Sequence, residues 1–165
     1  MPEPAGYSCR VTGPLLDPGR PFDAHIAARL DAERVIWLAS VRPDGRPHQV
    51  PVWFLWQDPA VLVFSLPGTQ KVGNVRARPA VTLCLDSADG GSDVVIADGD
   101  AELVGDPGVR ATMTPFAAKY APLIGADGLE QWAATFSQPI RVRVSRIMAW
   151  RRTPEGVQRR VVTAS

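Results

Sequence analysis

Lysine is almost absent from this chain: of its 18 basic residues, all but Lys71 and Lys119 are arginine. Cysteine and histidine are equally sparse, at two each: Cys9, Cys84, His25 and His48. Four such residues scattered so widely do not form a zinc-binding pattern, and no metal site is expected. Cys84 reads as a buried, inert thiol and Cys9 as an exposed one in a reducing compartment, not as a disulfide. Charge of one sign is also lacking. A net charge of +1 gives no basic field, so nucleic acid is not the expected partner. No apolar run approaches the ~20 residues that cross a bilayer, which excludes a membrane partner of that kind. The opening Met1-Pro2-Glu3-Pro4-Ala5-Gly6 has no basic stretch followed by an apolar one, so no secretory signal is read and a cytoplasmic location is expected.

What is present fits one globular domain. The 165 residues, 45% apolar and 21% charged, suffice for a single sizeable core. Residues 1–21 hold Pro2, Pro4, Pro14, Pro18 and Pro21 and read as an irregular N-terminal arm. Phe22 to Arg34 places Phe22, Ile26 and Leu30 at helical steps. Strands follow at Val35–Val41, Pro47–Trp56, Val61–Ser65, Ala80–Leu85, Asp93–Val104 (with Gly99 a bulge) and Gln138–Arg152. Pro43-Asp44-Gly45 turns the first hairpin. Gln70–Ala77, Gly108–Ile124 and Gly128–Phe136 read as helices, the latter pair interrupted near Pro115 and Pro122. The fold class is mainly β (α+β): a six-stranded antiparallel barrel with a few flanking helices over 22–152, then a C-terminal tail over 153–165. An open α+β sheet has the same periodicity.

Two features point to function. The strand Pro47-His48-Gln49-Val50-Pro51-Val52-Trp53-Phe54-Leu55-Trp56 is unusually rich in aromatics and prolines for a sheet interior. Pro51 cannot donate to a ladder and marks a bulge or a free edge, a frequent neighbour of binding sites. Lys71 stands at a helix start, where its charge opposes the helix dipole unless an anion is bound. Asn74, one turn on, faces the same way. An aromatic strand beside a phosphate grip suits a planar, phosphorylated cofactor. His48 reads as a strand-surface histidine without a catalytic role.

The stretches Trp37–Pro47 (with Asp44-Gly45-Arg46-Pro47), Val50-Pro51-Val52-Trp53-Phe54 and Lys71-Val72-Gly73-Asn74-Val75-Arg76 resemble split-barrel flavin and deazaflavin oxidoreductases. This is the pyridoxamine 5′-phosphate oxidase-like superfamily, an FMN-binding split barrel, and the chain is most similar to its actinobacterial branch that uses coenzyme F420. The similarity runs from about Phe22 to Trp150. It implies a homodimeric split barrel with cofactor at the subunit interface. It implies further that Lys71 and Asn74 hold the cofactor phosphate, that Ser65, Thr69 and Gln70 line the same pocket, and that Val50, Pro51, Val52 and Trp53 lie along the deazaflavin ring. Val75 replaces a leucine common in relatives. The chain ends Arg159-Arg160-Val161-Val162-Thr163-Ala164-Ser165 and so lacks the Arg-Leu-x-Pro ending of the vitamin-B6 enzymes, whose activity is not implied.

Three functions follow from this reading. The first is an oxidoreductase moving hydride between coenzyme F420 and a small unsaturated substrate, with no obligatory catalytic side chain. The second is an FMN enzyme on the same barrel. The third is a non-catalytic protein that binds a cofactor or a tetrapyrrole. Seven arginines from Arg141 to Arg160 face a lone Glu155, which fits either a basic rim for an acidic ligand or a solvated barrel face.

Overall fold

A computed structural model describes residues 13–105, 113–125 and 128–164. Cys9 and most of the N-terminal arm lie outside the described residues. Helix α1 (Pro21–Ala32) begins with proline at its first turn, where the missing N–H costs nothing. Strands β1 (Val35–Val41), β2 (Pro47–Gln57) and β3 (Ala60–Ser65) follow. Then come helix α2 (Gln70–Ala77), β4 (Ala80–Ala88), β5 (Asp93–Leu103), α3 (Met113–Ile124), α4 (Leu129–Thr135), β6 (Gln138–Thr153) and β7 (Gly156–Thr163). Among the described residues no helix is long and apolar enough to cross a membrane.

The strand order is β3-β2-β1-β4-β5-β6-β7, all antiparallel, and a β3–β6 pairing closes the first six into a barrel. This is the split barrel expected from the sequence. The first hairpin turns as its residues dictate. Gly45 takes φ 89, its N–H bonds Arg42 O at 2.9 Å, and the Asp44 carboxylate accepts from Arg46 N at 3.1 Å. At Gly99 the β5–β6 register shifts. A Cβ there would lie 2.2 Å from Arg143 O, so only glycine fits.

Inward-facing residues fill the barrel. Ile36, Leu38, Phe54, Leu83, Ile140 and Ile147 are almost wholly buried, and α1 adds Ile26 and Leu30. A second apolar cluster lies outside the barrel wall. There Phe116 and Tyr120 of α3 and Trp132 of α4 cover Leu62, Phe64 and the outward side of Trp53. Two clusters on opposite sides of β2 explain why that strand is apolar along both faces.

The described part of the arm is irregular, whereas the C-terminal segment departs from expectation. Of the arm, the described residues 13–20 pack on the body. Leu15 and Leu16 are buried, and their N–H groups donate to the Asp58 carboxylate at 2.7 and 3.1 Å. The segment 153–165, read as a tail, contains β7. The reason is the length of β6: its first half pairs with β3, but from Arg146 to Thr153 that edge has no barrel partner, and β7 pairs with it. Thr153-Pro154-Glu155-Gly156 makes the turn, with Gly156 at φ 134. Arg160 then grips the buried Asp23 of α1, with Nε to Oδ1 at 2.7 Å and Nη2 to Oδ2 at 3.0 Å. This holds the Asp23 carboxyl below its usual range, chiefly through the hydrogen bond from Arg160.

Candidate functional site: a cleft along the open edge of β2

Strand β2 pairs with β1 from Pro47 to Trp53, but with β3 only from Phe54 to Gln57. Below Phe54 the two strands part: β3 pairs with β6 along its whole length, and Phe64 and Ser65 have that partner alone. Residues 47–53 therefore show one free edge among the described residues, and this is the split in the barrel. The direction of the backbone groups is fixed by Tyr120. Its phenolic oxygen accepts from Phe54 N–H at 2.8 Å and lies 2.7 Å from Arg34 O, continuing the ladder where β1 has not yet begun. Phe54 thus points its polar groups toward β1, as do Val52, Val50 and His48 by alternation. Pro47, Gln49, Pro51 and Trp53 point theirs at the open edge. Two of the four are prolines, which have no N–H to leave bare. Gln49 and Trp53 supply the edge's N–H donors.

Helix α2 borders the lower end of the cleft, joined to the end of β3 by 66–69. It is fastened by Asn74, which is fully buried: Nδ2 donates to Ser40 Oγ at 2.9 Å and Oδ1 accepts from Gln70 Nε2 at 2.8 Å. Ser65 Oγ and Thr69 Oγ1 meet at 3.0 Å. Ser65 is buried, whereas Gln70 is exposed and Lys71 half-buried. Lys71 lies one turn before Asn74, hence on the side of α2 that reaches Ser40. Ser40 is the cross-strand partner of His48, and Arg42 follows two residues on.

Three nitrogen-bearing side chains thus converge: Arg42, His48 and Lys71. Among the described residues neither Arg42 nor Lys71 has a carboxylate within ion-pair distance. Arg42 Nε and His48 Nδ1 are buried without a hydrogen-bond partner. Burial lowers the Lys71 ammonium pKa. The His48 imidazole is lowered first by burial and then by the charges of Arg42 and Lys71. A cluster of cations without a counter-charge, holding two orphaned polar atoms, lacks an acceptor, and an anion such as a phosphate supplies one.

The pleat divides the residues assigned to the ring. Val52 points into the barrel and is 7% exposed, and Val50 packs against the same core. Pro51 and Trp53 point outward, so from Val52 the cleft meets only backbone. Trp53 is packed flat on Tyr120 (ring centroids 4.6 Å apart, planes at 6°) and stands 6.0 Å from Trp132. It walls the cleft as a fixed surface. Asn74, with its amide engaged within the protein, acts as a positioning residue for α2. Sequence reasoning set His48 aside as a strand-surface residue and did not single out Ser40 or Arg42. The signal was the hairpin itself, because residues placed symmetrically about Pro43-Asp44-Gly45 become cross-strand neighbours. An open groove of about 500 Å³, lined by Ser40, Pro47, Thr82, Asp98, Asp100 and Ser145, adjoins the Ser40–His48 pair from the β4–β5 side. Its acidic lining makes it the poorer place for an anion.

With this geometry in hand, comparisons place the chain among known proteins. Residues 22–158 match the family described as Pyridoxamine 5'-phosphate oxidase. Among curated proteins none matches. Among solved structures, the conserved hypothetical protein Rv2991 from Mycobacterium tuberculosis is similar at 23% identity and TM-score 0.67, covering 78% of this chain and 83% of that one. An F420 reductase is similar at 27% identity and TM-score 0.56, covering 73% and 93%. A FAD-binding protein from Mesorhizobium loti is similar at 23% identity and TM-score 0.57, covering 76% and 91%.

Proposed function

Because the chain belongs to the pyridoxamine 5′-phosphate oxidase family, we propose that it is an oxidoreductase. Its cofactor is the deazaflavin coenzyme F420, with FMN as the alternative, and its substrate is a small unsaturated molecule. The observation that carries this reading is the acid-free cluster of Arg42, His48 and Lys71 at the foot of an open strand edge. The F420 reductase at 27% identity supports the choice of deazaflavin.

In this reading Lys71 and Arg42 hold the phosphate, while Thr69 and Gln70 border it. The edge of β2 receives the ring: Gln49 and Trp53 offer N–H donors and Pro51 an apolar surface. The coenzyme, when bound, supplies the hydride. Trp53, locked on Tyr120, limits water on one side and keeps the cleft at fixed width. In this reading the coenzyme carries the chemistry and no catalytic side chain is assigned.

The protein acts as a homodimer. In-register partners Pro51, Trp37, Cys84, Ile96, Met148 and Val161 form an apolar row across the outer face of six strands. Trp37 is 37% and Val161 53% exposed. Such a continuous row calls for cover, and a second copy related by a two-fold axis is the usual one. Pro51 begins this row and borders the cleft, so the partner would complete the cofactor's surroundings.

Titration of the apoprotein with coenzyme F420 and with FMN, followed by tryptophan fluorescence, tests the assignment. Tighter binding of coenzyme F420 is expected. Equal or tighter FMN binding transfers the protein to the flavin reading, and binding of neither ends both.

A further inference from the structure

We propose that His48 is the proton-sensing member of this anion site: it takes up a proton as a phosphorylated cofactor binds, so affinity rises as pH falls. The inference rests on the reading that the cleft receives such a cofactor. It adds a regulatory property to that site and a role for a residue otherwise read as ordinary strand surface.

The register and the buried amide fix the geometry. His48 is held opposite Ser40 by the β1–β2 register, and Ser40 is held against α2 by Asn74 at 2.9 Å. This places the His48 backbone beside the turn of α2 that carries Lys71, whose charge acts on the imidazole. The groups that act on His48 are Arg42 from the β1 end of the hairpin and Lys71 from α2. Of the other charged groups of these elements and of β5, which packs against α2, Arg76 and Asp100 are exposed and Asp98 pairs with Arg146 at 3.1 Å. Asp44 pairs with Arg46 at the turn, and Arg78 Nη2 reaches Pro43 O at 3.4 Å. Among the described residues no carboxylate pairs with His48, and burial together with the charges of Arg42 and Lys71 opposes its protonation.

A bound phosphate reverses that balance. It brings negative charge to the centre of the three side chains, and an imidazolium offers N–H donors at both nitrogens where the neutral ring offers one. His48 is the group of the cluster whose ordinary range spans neutrality. One proton taken up per ligand bound strengthens binding by at most about tenfold for each pH unit lowered. In effect the cofactor site is coupled to the acidity of its surroundings.

Isothermal titration of the full chain with coenzyme F420, and separately with FMN, decides the matter. Wild type, His48→Gln and His48→Arg are compared between about pH 6 and about pH 8, across the imidazole range, in buffers of differing ionisation heat. Wild type is expected to absorb up to one proton more than His48→Gln, which cancels any proton the ligand itself contributes. Its affinity should fall across this range about tenfold or more beyond any fall in His48→Gln. His48→Arg, permanently charged, should hold its affinity and absorb no extra proton. Equal proton uptake and parallel pH profiles in all three proteins, with ligand bound, would overturn the inference and leave the cofactor reading intact. If neither ligand binds wild type at any pH, the reading beneath it fails as well. Should His48→Gln not fold, the contrast between wild type and His48→Arg discriminates in the same way.

Discussion

Replacing Tyr120 by phenylalanine removes one oxygen from the point where β1, β2 and α3 meet. The ring is fully buried and stays stacked on Trp53, so packing is preserved and the hydrogen bonds are isolated. In wild type the phenolic oxygen accepts from Phe54 N–H at 2.8 Å, and its own proton is shared between Arg34 O at 2.7 Å and Phe54 O at 2.8 Å. Without it, Phe54 N–H points into an apolar enclosure with no acceptor. An unsatisfied buried donor costs about 1–3 kcal/mol, whereas Arg34, an exposed residue, can turn its carbonyl to water. A loss of about 2 kcal/mol follows, roughly 4–8 °C in Tm for a chain of this size. Urea unfolding of the two proteins measures it. Alkali provides a second readout. Burial pushes the phenol up to about 12 from 10.0, so in wild type its contribution is present below about pH 10 and declines as pH rises toward 12. That component should vanish in Tyr120→Phe. A difference below about 0.5 kcal/mol, the range of a surface substitution, would mean that Phe54 N–H has another acceptor. The inferred direction of the β2 backbone groups, and with it the open edge, would then be wrong.

Three further outcomes are expected. Lys71→Ala should leave stability within ~0.5 kcal/mol yet weaken cofactor binding by roughly ten- to a hundredfold, the loss of a charge-assisted hydrogen bond. Lys119→Met, the control, should not weaken it, because Lys119 sits 4.0 Å over the Phe54 ring and donates to Leu30 O; unchanged affinity in Lys71→Ala removes the phosphate grip. Asp23→Asn should cost roughly 1.5–3 kcal/mol by loosening the Arg160 pair. The Asp23 carboxyl lies below its ordinary 3.8 when folded, so its contribution is present above about pH 4 and lost as pH falls further. Acid titration of stability should show this loss in wild type and not in Asp23→Asn. Trp37→Glu should shift the sedimenting species from dimer to monomer, and a wild type that is already monomeric at micromolar concentration contradicts the dimer.

The barrel was legible in the sequence because its strands carry their own punctuation. Pro43-Asp44-Gly45 and the β-branched runs fix the first hairpin, and Gly99 announces a close approach that the 2.2 Å clash distance explains. Strand β7 was missed although Pro154-Glu155-Gly156 repeats the spacing of that first turn. Its outward residues include Arg159 and Val161 in no clean alternation, because β7 lies beyond the closed barrel and buries little. Its place is set by the unpaired half of β6, a tertiary fact that no local pattern encodes.

The site was legible in part, and for a related reason. Helical spacing puts Lys71 and Asn74 on one side of α2, but spacing cannot say which side chain is spent inside the fold. Asn74 is spent on Ser40 and Gln70, and Trp53 on Tyr120 and Trp132. What remains with unspent capacity is a different set: Arg42 and His48, each with a partnerless buried nitrogen, and Lys71 with no acid beside it. Unspent capacity is the better guide to binding. A polar group satisfied within the fold has nothing to gain from a ligand, while an orphaned one carries a standing cost that the right anion removes.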